Sequence, residues 1–289
     1  MNLRHIANTG SGQDGAIFGR YLFRFNARGL CRVYDLAALT PSAAAPIDLP
    51  VLCEFTLDRS DEIVPHSNAV VFGSEYYAEG DEFPLLYSNI YNNYAKAEDK
   101  LCGVCCVYRL QRDGTQFTTT LVQLIEIGFA NDAGGLWRSA GEVADVRPYG
   151  NFVIDAGTNT YWGFVMRDAD RTTRYFAFDL PRLADGEPDP RFGVRRVTLT
   201  PADIRTFFDT PYHNYIQGAC FRDGKIYSVE GFHDRIHPAL RIIDPAAGKQ
   251  ELFFDFFDAG YEHEAEFIDF YEGMCLYSDA KGHVFVLTR

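Results

Sequence analysis

The stretch from Tyr215 to Lys249 restricts the fold more than any other part of the chain. Residues 217–221 are small and apolar, Arg222-Asp223-Gly224-Lys225 follows, and residues 226–229 alternate before a break at Gly231. Asp-Gly between two apolar runs is a strong hairpin signal, because the favoured two-residue turn needs positive φ at both central positions. After a polar loop, residues 240–244 close on Pro245 and the Ala247-Gly248-Lys249 turn. Three short strands, each reversed by a turn, predict an antiparallel sheet.

The same unit echoes along the chain. Apolar strands ending at a polar turn recur as Val33-Tyr34-Asp35-Leu36, Val107-Tyr108-Arg109-Leu110, Phe176-Ala177-Phe178-Asp179, Arg241-Ile242-Ile243-Asp244 and Val284-Phe285-Val286-Leu287. The first unit reads as strands over 16–25, 30–36 and 51–55, and the second as 65–73, 84–89, 103–110 and 117–127. The third runs through 151–155, 161–166, 174–180 and 194–199, and the fourth is the opening stretch extended by 251–257. The last has three strands, 265–270, 274–278 and 283–288, which leaves residues 3–8 to supply a fourth. Thr200 as an N-cap and Pro201 at the first helical position predict a short helix over 201–208.

Five such sheets at irregular spacing imply radial repetition. The expectation is an all-β fold, a single-domain β-propeller over residues 1–289, with five blades of four antiparallel strands closed by the N-terminal strand. A sixth blade hidden in the long second and third units is the alternative count, and a β-sandwich is the competing architecture. The aromatic fraction of 15%, with 24 Phe and 17 Tyr, suits pleated, half-buried surfaces.

From about Gly10 onward the chain resembles the β-propeller superfamily. The runs QGACFRDGKIYSVEG and AEFIDFYEGMCLYSDAKGHVFVL look like bacterial propeller proteins that bind small ligands or saccharides at the central channel. There is no WD dipeptide, no kelch signature and no catalytic signature of the five-bladed glycosidases, so the resemblance implies architecture rather than an activity.

Net charge of −13 argues against nucleic acid and against an anionic membrane surface, both of which want a basic footprint. No apolar run approaches the length of a membrane span, and residues 1–15 show no signal-peptide h-region. Seven cysteines, an odd number, fit free thiols in the reducing cytoplasm. Gly10-Ser11-Gly12-Gln13-Asp14-Gly15 matches a dinucleotide-binding pattern, but a strand follows where that motif needs a helix N-terminus.

The chemistry is expected where each blade's innermost strand begins. These openings are polar: Gln13-Asp14, His66-Ser67-Asn68, residues 147–151 ending at Asn151, His213-Asn214 with Gln217, and Glu262-His263-Glu264 with Glu266. A propeller gathers such openings at one mouth of its channel, so Asp14, His66, Asn68, Asn151, His213, Gln217, Glu264 and Glu266 form the candidate ligand-binding ring. Their ordinary role as caps of loop backbone is the competing reading. If 262–266 is strand, Glu262, Glu264 and Glu266 share one face. Closely placed carboxylates can act as acid and base on a glycosidic bond, or hold a hard cation such as calcium with oxygens of Asp14 or Asn68. No resident cofactor is otherwise implied.

Tyr87, Tyr91, Tyr94, Tyr149, Tyr161, Trp162, Tyr212 and Tyr215 offer faces on which a sugar ring could stack, or packing between blades. Cys102, Cys105 and Cys106 form half of a zinc motif with no second pair, and His233 with His237 lacks the glutamate of a zinc-protease helix. Binding of a small polar ligand, a saccharide among the choices, is the leading expectation. A carbohydrate hydrolase or lyase using Glu264 and Glu266 with His66 is the second, and a protein-interaction scaffold the third.

Overall fold

The computed structural model describes residues 1–39, 45–63, 65–67, 69–90, 103–127, 151–167, 171–232 and 235–288. After β1 (Asn2–Asn8), blade 1 comprises β2 (Gly15–Phe18), β3 (Tyr21–Phe25), β4 (Leu30–Asp35) and, past the two-residue β5 (Ile47–Asp48), β6 (Val51–Thr56). Blade 2 is β7 (Val70–Phe72), β8 (Leu86–Ile90), β9 (Val104–Asp113) and β10 (Gln116–Glu126). Blade 3 contains β11 (Phe152–Asp155), β12 (Thr160–Arg167) and β13 (Thr172–Asp179). The short β14 (Glu187–Pro188) and β15 (Arg195–Thr198) precede its last strand, β16 (Thr206–Pro211). Blade 4 is β17 (Ile216–Arg222), β18 (Lys225–Phe232), β19 (Ile236–Asp244) and β20 (Lys249–Asp255). Blade 5 is β21 (Ala265–Tyr271), β22 (Met274–Asp279) and β23 (His283–Thr288), completed by β1. The fold is a five-bladed β-propeller.

Each blade buries both faces of its sheet. Alternate residues of one strand serve different neighbours: Val104, Cys106 and Tyr108 pack toward blade 1, whereas Cys105 and Val107 pack toward blade 3. The five hydrophobic clusters lie one at each junction between adjacent blades, closing with Phe267, Leu276 and Val284 of blade 5 against Leu22 and Tyr34 of blade 1. A sandwich would leave one face of each sheet to solvent, so this arrangement rules it out. Burial of each Phe or Leu contributes roughly 2–3 kcal/mol, which is why the strands read as continuous apolar runs.

The ring closes as the short last unit implied. β1 pairs antiparallel with β23, Leu3 opposite Leu287 and Asn8 opposite His283. At the opening stretch, Asp223 and Gly224 take φ of 50° and 75°, the conformation that the Asp-Gly signal demanded.

Three expectations change, and the alternative blade count falls away. Residues 16–25 are two strands, split at Gly19-Arg20, which gives blade 1 its fourth strand. The helix expected over 201–208 shrinks to a 3-10 turn at Pro201–Asp203, capped by Thr200. Phe207 and Phe208 enter β16 instead, paired with Phe176 and Tyr175. Residues 194–199 do not finish blade 3, since β15 runs parallel to the outer strand of blade 2. Finally, among the described residues the extra length of the middle units forms no sixth blade. Within the described residues it goes into the long β9–β10 hairpin and the β14–β15 insertion. β5 covers β1 of blade 5 in the same manner. Both insertions sit between the third and fourth strands of a blade and shield the exposed edge of the preceding one.

Candidate functional site

The inner strands β2, β7, β11, β17 and β21 pack side by side around the channel. Their starts define its upper end and their finishes its lower end. Gln13 and Asp14 are held as an extension of the β2–β3 ladder, through Gln13 N–H to Phe25 O (2.7 Å) and Phe25 N–H to Asp14 O (3.1 Å). Two other inner strands are bulged where they begin, β17 at Gln217-Gly218 and β21 at Glu266. A bulge re-aims the side chain that it carries. It also overturns the expectation of three carboxylates on one strand face. β21 starts only at Ala265, Glu262 is exposed outside it, and Glu264 and Glu266 alone turn toward neighbouring blades.

Most of the expected ring comes together. Gln13 Nε2 donates to Glu266 Oε1 at 3.3 Å, and Gln13 Oε1 lies 3.1 Å from His66 Nε2. Gln217 Nε2 donates to Glu264 Oε1 (2.7 Å) and to Gly231 O (3.0 Å). Asn151 Nδ2 donates to the Gln217 carbonyl. Asp14 Oδ2 accepts from Val70 N at 2.9 Å. These bonds join blades 2, 1 and 5 on one side of the mouth and blades 3, 4 and 5 on the other.

Asp14, Arg24 and Glu266 form the core of this end. All three are at most 3% exposed. Asp14 Oδ1, Glu266 Oε2 and the Nε and Nη1 atoms of Arg24 find no hydrogen-bond partner among the described residues. The Arg24 guanidinium lies 5.1 Å from the Phe267 ring centroid, and it acts electrostatically on both carboxylates. Burial pushes the Asp14 carboxyl well above the usual range, against its Val70 and Gly15 amides and Arg24. Burial does the same to Glu266, with Glu264 adding to the rise. Gly218 makes this crowding feasible: a Cβ there would sit 2.7 Å from Asp14 Oδ1, 2.7 Å from Glu266 O and 2.9 Å from Phe267 Cα.

Arg24 was not among the expected site residues. Its signal was available, as a lone cation in the apolar strand Tyr-Leu-Phe-Arg-Phe. His213 was expected in the ring but lies elsewhere. It is fully buried between blades, with Tyr175 Oη 3.3 Å from Nδ1 and Thr210 Oγ1 3.4 Å from Nε2, and burial lowers its pKa well below the usual value. Its backbone N–H donates to Thr173 Oγ1 at 2.9 Å, which ties it to blade 3. Asn68 lies outside the described residues, as do Tyr91, Tyr94, Tyr149, Cys102 and His233.

Of the other aromatics, Tyr87, Tyr161 and Trp162 pack in the interblade clusters. Tyr215 is different: 50% exposed, at φ 52°, and stacked on Phe232 with centroids 4.6 Å apart. Tyr212 carries the Arg171 guanidinium 3.9 Å from its ring centroid. Cys105 and Cys106 face opposite clusters and cannot converge on one ion; burial raises both thiols, Cys106 to about 12.

The lower half of the channel is open. A cavity of about 360 Å³ lies among the ends of all five inner strands, with Asp155, Cys220, Arg222, Asp223 and Asp269 in its wall. That volume falls at the small end of ligand pockets. Asp269 Oδ2 accepts from Ile17 N at 2.8 Å and Oδ1 from Phe270 N at 2.8 Å, and burial still lifts its pKa to about 6.

The class defined by this fold is a five-bladed propeller with a polar central channel. No family model matches the chain, and no curated protein matches it in sequence. Among solved structures it is similar to the glutaminyl cyclase of Myxococcus xanthus, with a TM-score of 0.51 and 11% identity over 100% of this chain and 94% of that one. It also aligns with a putative oxidoreductase (glucose dehydrogenase) of Thermus thermophilus, with a TM-score of 0.45 and 10% identity over 99% and 98% of the two chains. At this identity the first likeness speaks for the fold alone. No helix among the described residues is long and apolar enough to cross a membrane.

Proposed function

We propose that the protein binds a small polar ligand, a saccharide, at the upper end of its channel. The observation that carries this reading is the convergence of Asp14, Arg24 and Glu266, buried and each with polar atoms lacking a partner among the described residues. Leaving such groups unmatched costs about 1–3 kcal/mol each, so a fold that keeps three of them together has a use for them. Sugar hydroxyls both donate and accept, which suits an acid, a carboxylate and a guanidinium side by side. Glu264, Gln217 and His66 surround the cluster, and the exposed Tyr215–Phe232 stack offers an aromatic face of the kind that packs on a pyranose ring. A non-glycine residue held at positive φ at an exposed site is backbone strain of about 1–3 kcal/mol, a recurrent mark of ligand-binding positions.

A second reading has its own support. A buried carboxyl raised well above the usual range beside Glu264 is the pairing that glycoside cleavage uses, with Glu266 as proton donor and Glu264 as the ionised partner. The test is a thermal-shift screen against neutral, amino and acidic mono- and disaccharides together with 4-nitrophenyl glycosides. Glu264→Gln and His66→Ala are run beside the wild type. A sugar that raises the melting temperature of the wild type and of neither variant supports binding at this end. Release of nitrophenol that disappears in Glu266→Gln supports hydrolysis. Shifts that survive both substitutions, or no shift with any sugar, overturn the proposal.

A further inference from the structure

Three of the chain's seven histidines gather on blade 5, where His263 directly precedes Glu264. His283 opens β23, His5 belongs to β1, and His263 sits in the loop leading to β21. Ring centroids are 5.9 Å apart for His263 and His283 and 5.0 Å for His5 and His283. Asp279, at the end of β22 and 3% exposed, faces the same point. One ligand atom from each of His263, Asp279 and His283 lies within 4.8 Å of the others.

We propose that His263, Asp279 and His283 bind a borderline divalent transition metal, of which zinc is the representative. The donor types select this class. Imidazole nitrogens suit zinc, copper and nickel, whereas calcium and magnesium want oxygen alone. Metal–ligand bonds of 2.0–2.2 Å in a tetrahedron put ligand atoms about 3.3 Å apart, so atoms now up to 4.8 Å apart close by about 1.5 Å at most, and the 2.8 Å Asp279 Oδ2–His283 Nδ1 hydrogen bond gives way as the ion displaces the proton between them. His263 is exposed and can make most of that movement.

Asp279 is fixed by its own surroundings. Oδ1 accepts from the backbone of Lys281 (3.0 Å) and of His283 (2.9 Å), which aims Oδ2 at His283 Nδ1, 2.8 Å away. Support of this kind orients a ligand before the ion arrives. An Asp-His pair alone would be an ordinary turn contact. The arrival of His263 from a separate loop is what makes a third ligand. His5 Nε2 already contacts Asn8 Oδ1 (2.7 Å) and Ala7 O (3.0 Å), so a water completes the fourth position and His5 packs behind it. Glu262 flanks His263 on an acidic chain, which favours cations near this surface. The ion would tie the lead-in of β21 to the β22–β23 turn, on the blade that closes the ring.

The experiment titrates metal-stripped full-length protein with zinc by calorimetry, and with cobalt(II) by visible absorption. The variants are His263→Ala, His283→Ala and Glu266→Gln, with the exposed blade-4 residue His237→Ala as control, each checked for fold by circular dichroism. The expected result is one zinc per chain, a tetrahedral cobalt spectrum, and affinity at least ten-fold weaker in His263→Ala and His283→Ala but unchanged in His237→Ala. Because His263 is exposed, its removal leaves the blade folded and keeps the test decisive if His283→Ala does not fold. No zinc binding by the wild type, or binding undiminished in His263→Ala, overturns the site. Binding lost in Glu266→Gln and kept in His263→Ala moves the ion to the channel and overturns it as well.

Discussion

Asp14 and Asp269 are two versions of one device. Each sits on the channel wall, and each accepts a backbone N–H from the inner strand of the next blade, Val70 for Asp14 and Ile17 for Asp269. Burial raises both. The amide of the following residue acts on both carboxyls, Gly15 on Asp14 and Phe270 on Asp269, and they differ in the geometry of Oδ1. Asp269 gives it to the amide of Phe270, whereas Asp14 keeps Oδ1 beside Gly218 with no hydrogen-bond partner among the described residues. Asp269 is thus fully used as a stitch between blades, at an end of the channel that remains open. Asp14 is a stitch with an acceptor to spare, at an end packed with charge. The comparison teaches that an empty volume and an unmatched polar group are separate signs of a site, and here they fall at opposite ends of one channel.

The largest expected effect is on the crowding that separates the two ends. Gly218→Ala places a methyl within 3 Å of Asp14 Oδ1 and of the backbone of Glu266 and Phe267, and two of those three contacts are backbone. Destabilisation of about 3 kcal/mol or more is expected by denaturant titration. An unchanged midpoint would mean that β17 and β21 are farther apart than described.

The next effect separates the two aspartates by pH. Asp269 titrates near 6 when folded and near 3.8 otherwise, so the folded state holds its proton more tightly. Stability from this group is therefore full at low pH and declines as pH rises from about 4 through 6, by about 3 kcal/mol at most. Asp269→Asn loses one amide acceptor and should be destabilised by about 1–3 kcal/mol at pH 5. That deficit should shrink by pH 7.5, where the wild type has lost its advantage. Asp14→Asn can keep the Val70 amide bond through its remaining oxygen, so it should change stability by less than about 1 kcal/mol and should instead weaken ligand binding. Equal stability losses in both variants at every pH would erase the distinction drawn between them.

The smallest effect concerns Tyr215. Replacement by glycine relieves the positive φ but loosens the unfolded chain, so the net change should stay within about 1 kcal/mol. Saccharide binding should fall while the melting temperature holds. A clear loss of stability would make Tyr215 a packing residue rather than part of the rim.

Much of the candidate site was legible because its positions follow from blade phase. Asp14, His66, Asn151, Gln217, Glu264 and Glu266 begin inner strands, and the propeller brings inner-strand starts together. His213 failed the same logic because Thr173, Tyr175 and Thr210 hold it against blade 3, contacts that no local pattern records. Arg24 was missed because it lies on a second strand, not at an opening. The His263–Asp279–His283 group was invisible as a set: each residue is unremarkable in its own segment.

The sequence by itself determined the hairpins, the five sheets and the closing role of the N-terminal strand. Those follow from period-two burial and turn chemistry, which act over a few residues. Tertiary structure alone decided which blade β15 would join, where β17 and β21 would bulge, and which polar atoms would be left unmatched. Gln13 meets Glu266 across 253 residues of chain. The angle at which such partners arrive is set by how five sheets pack into one ring.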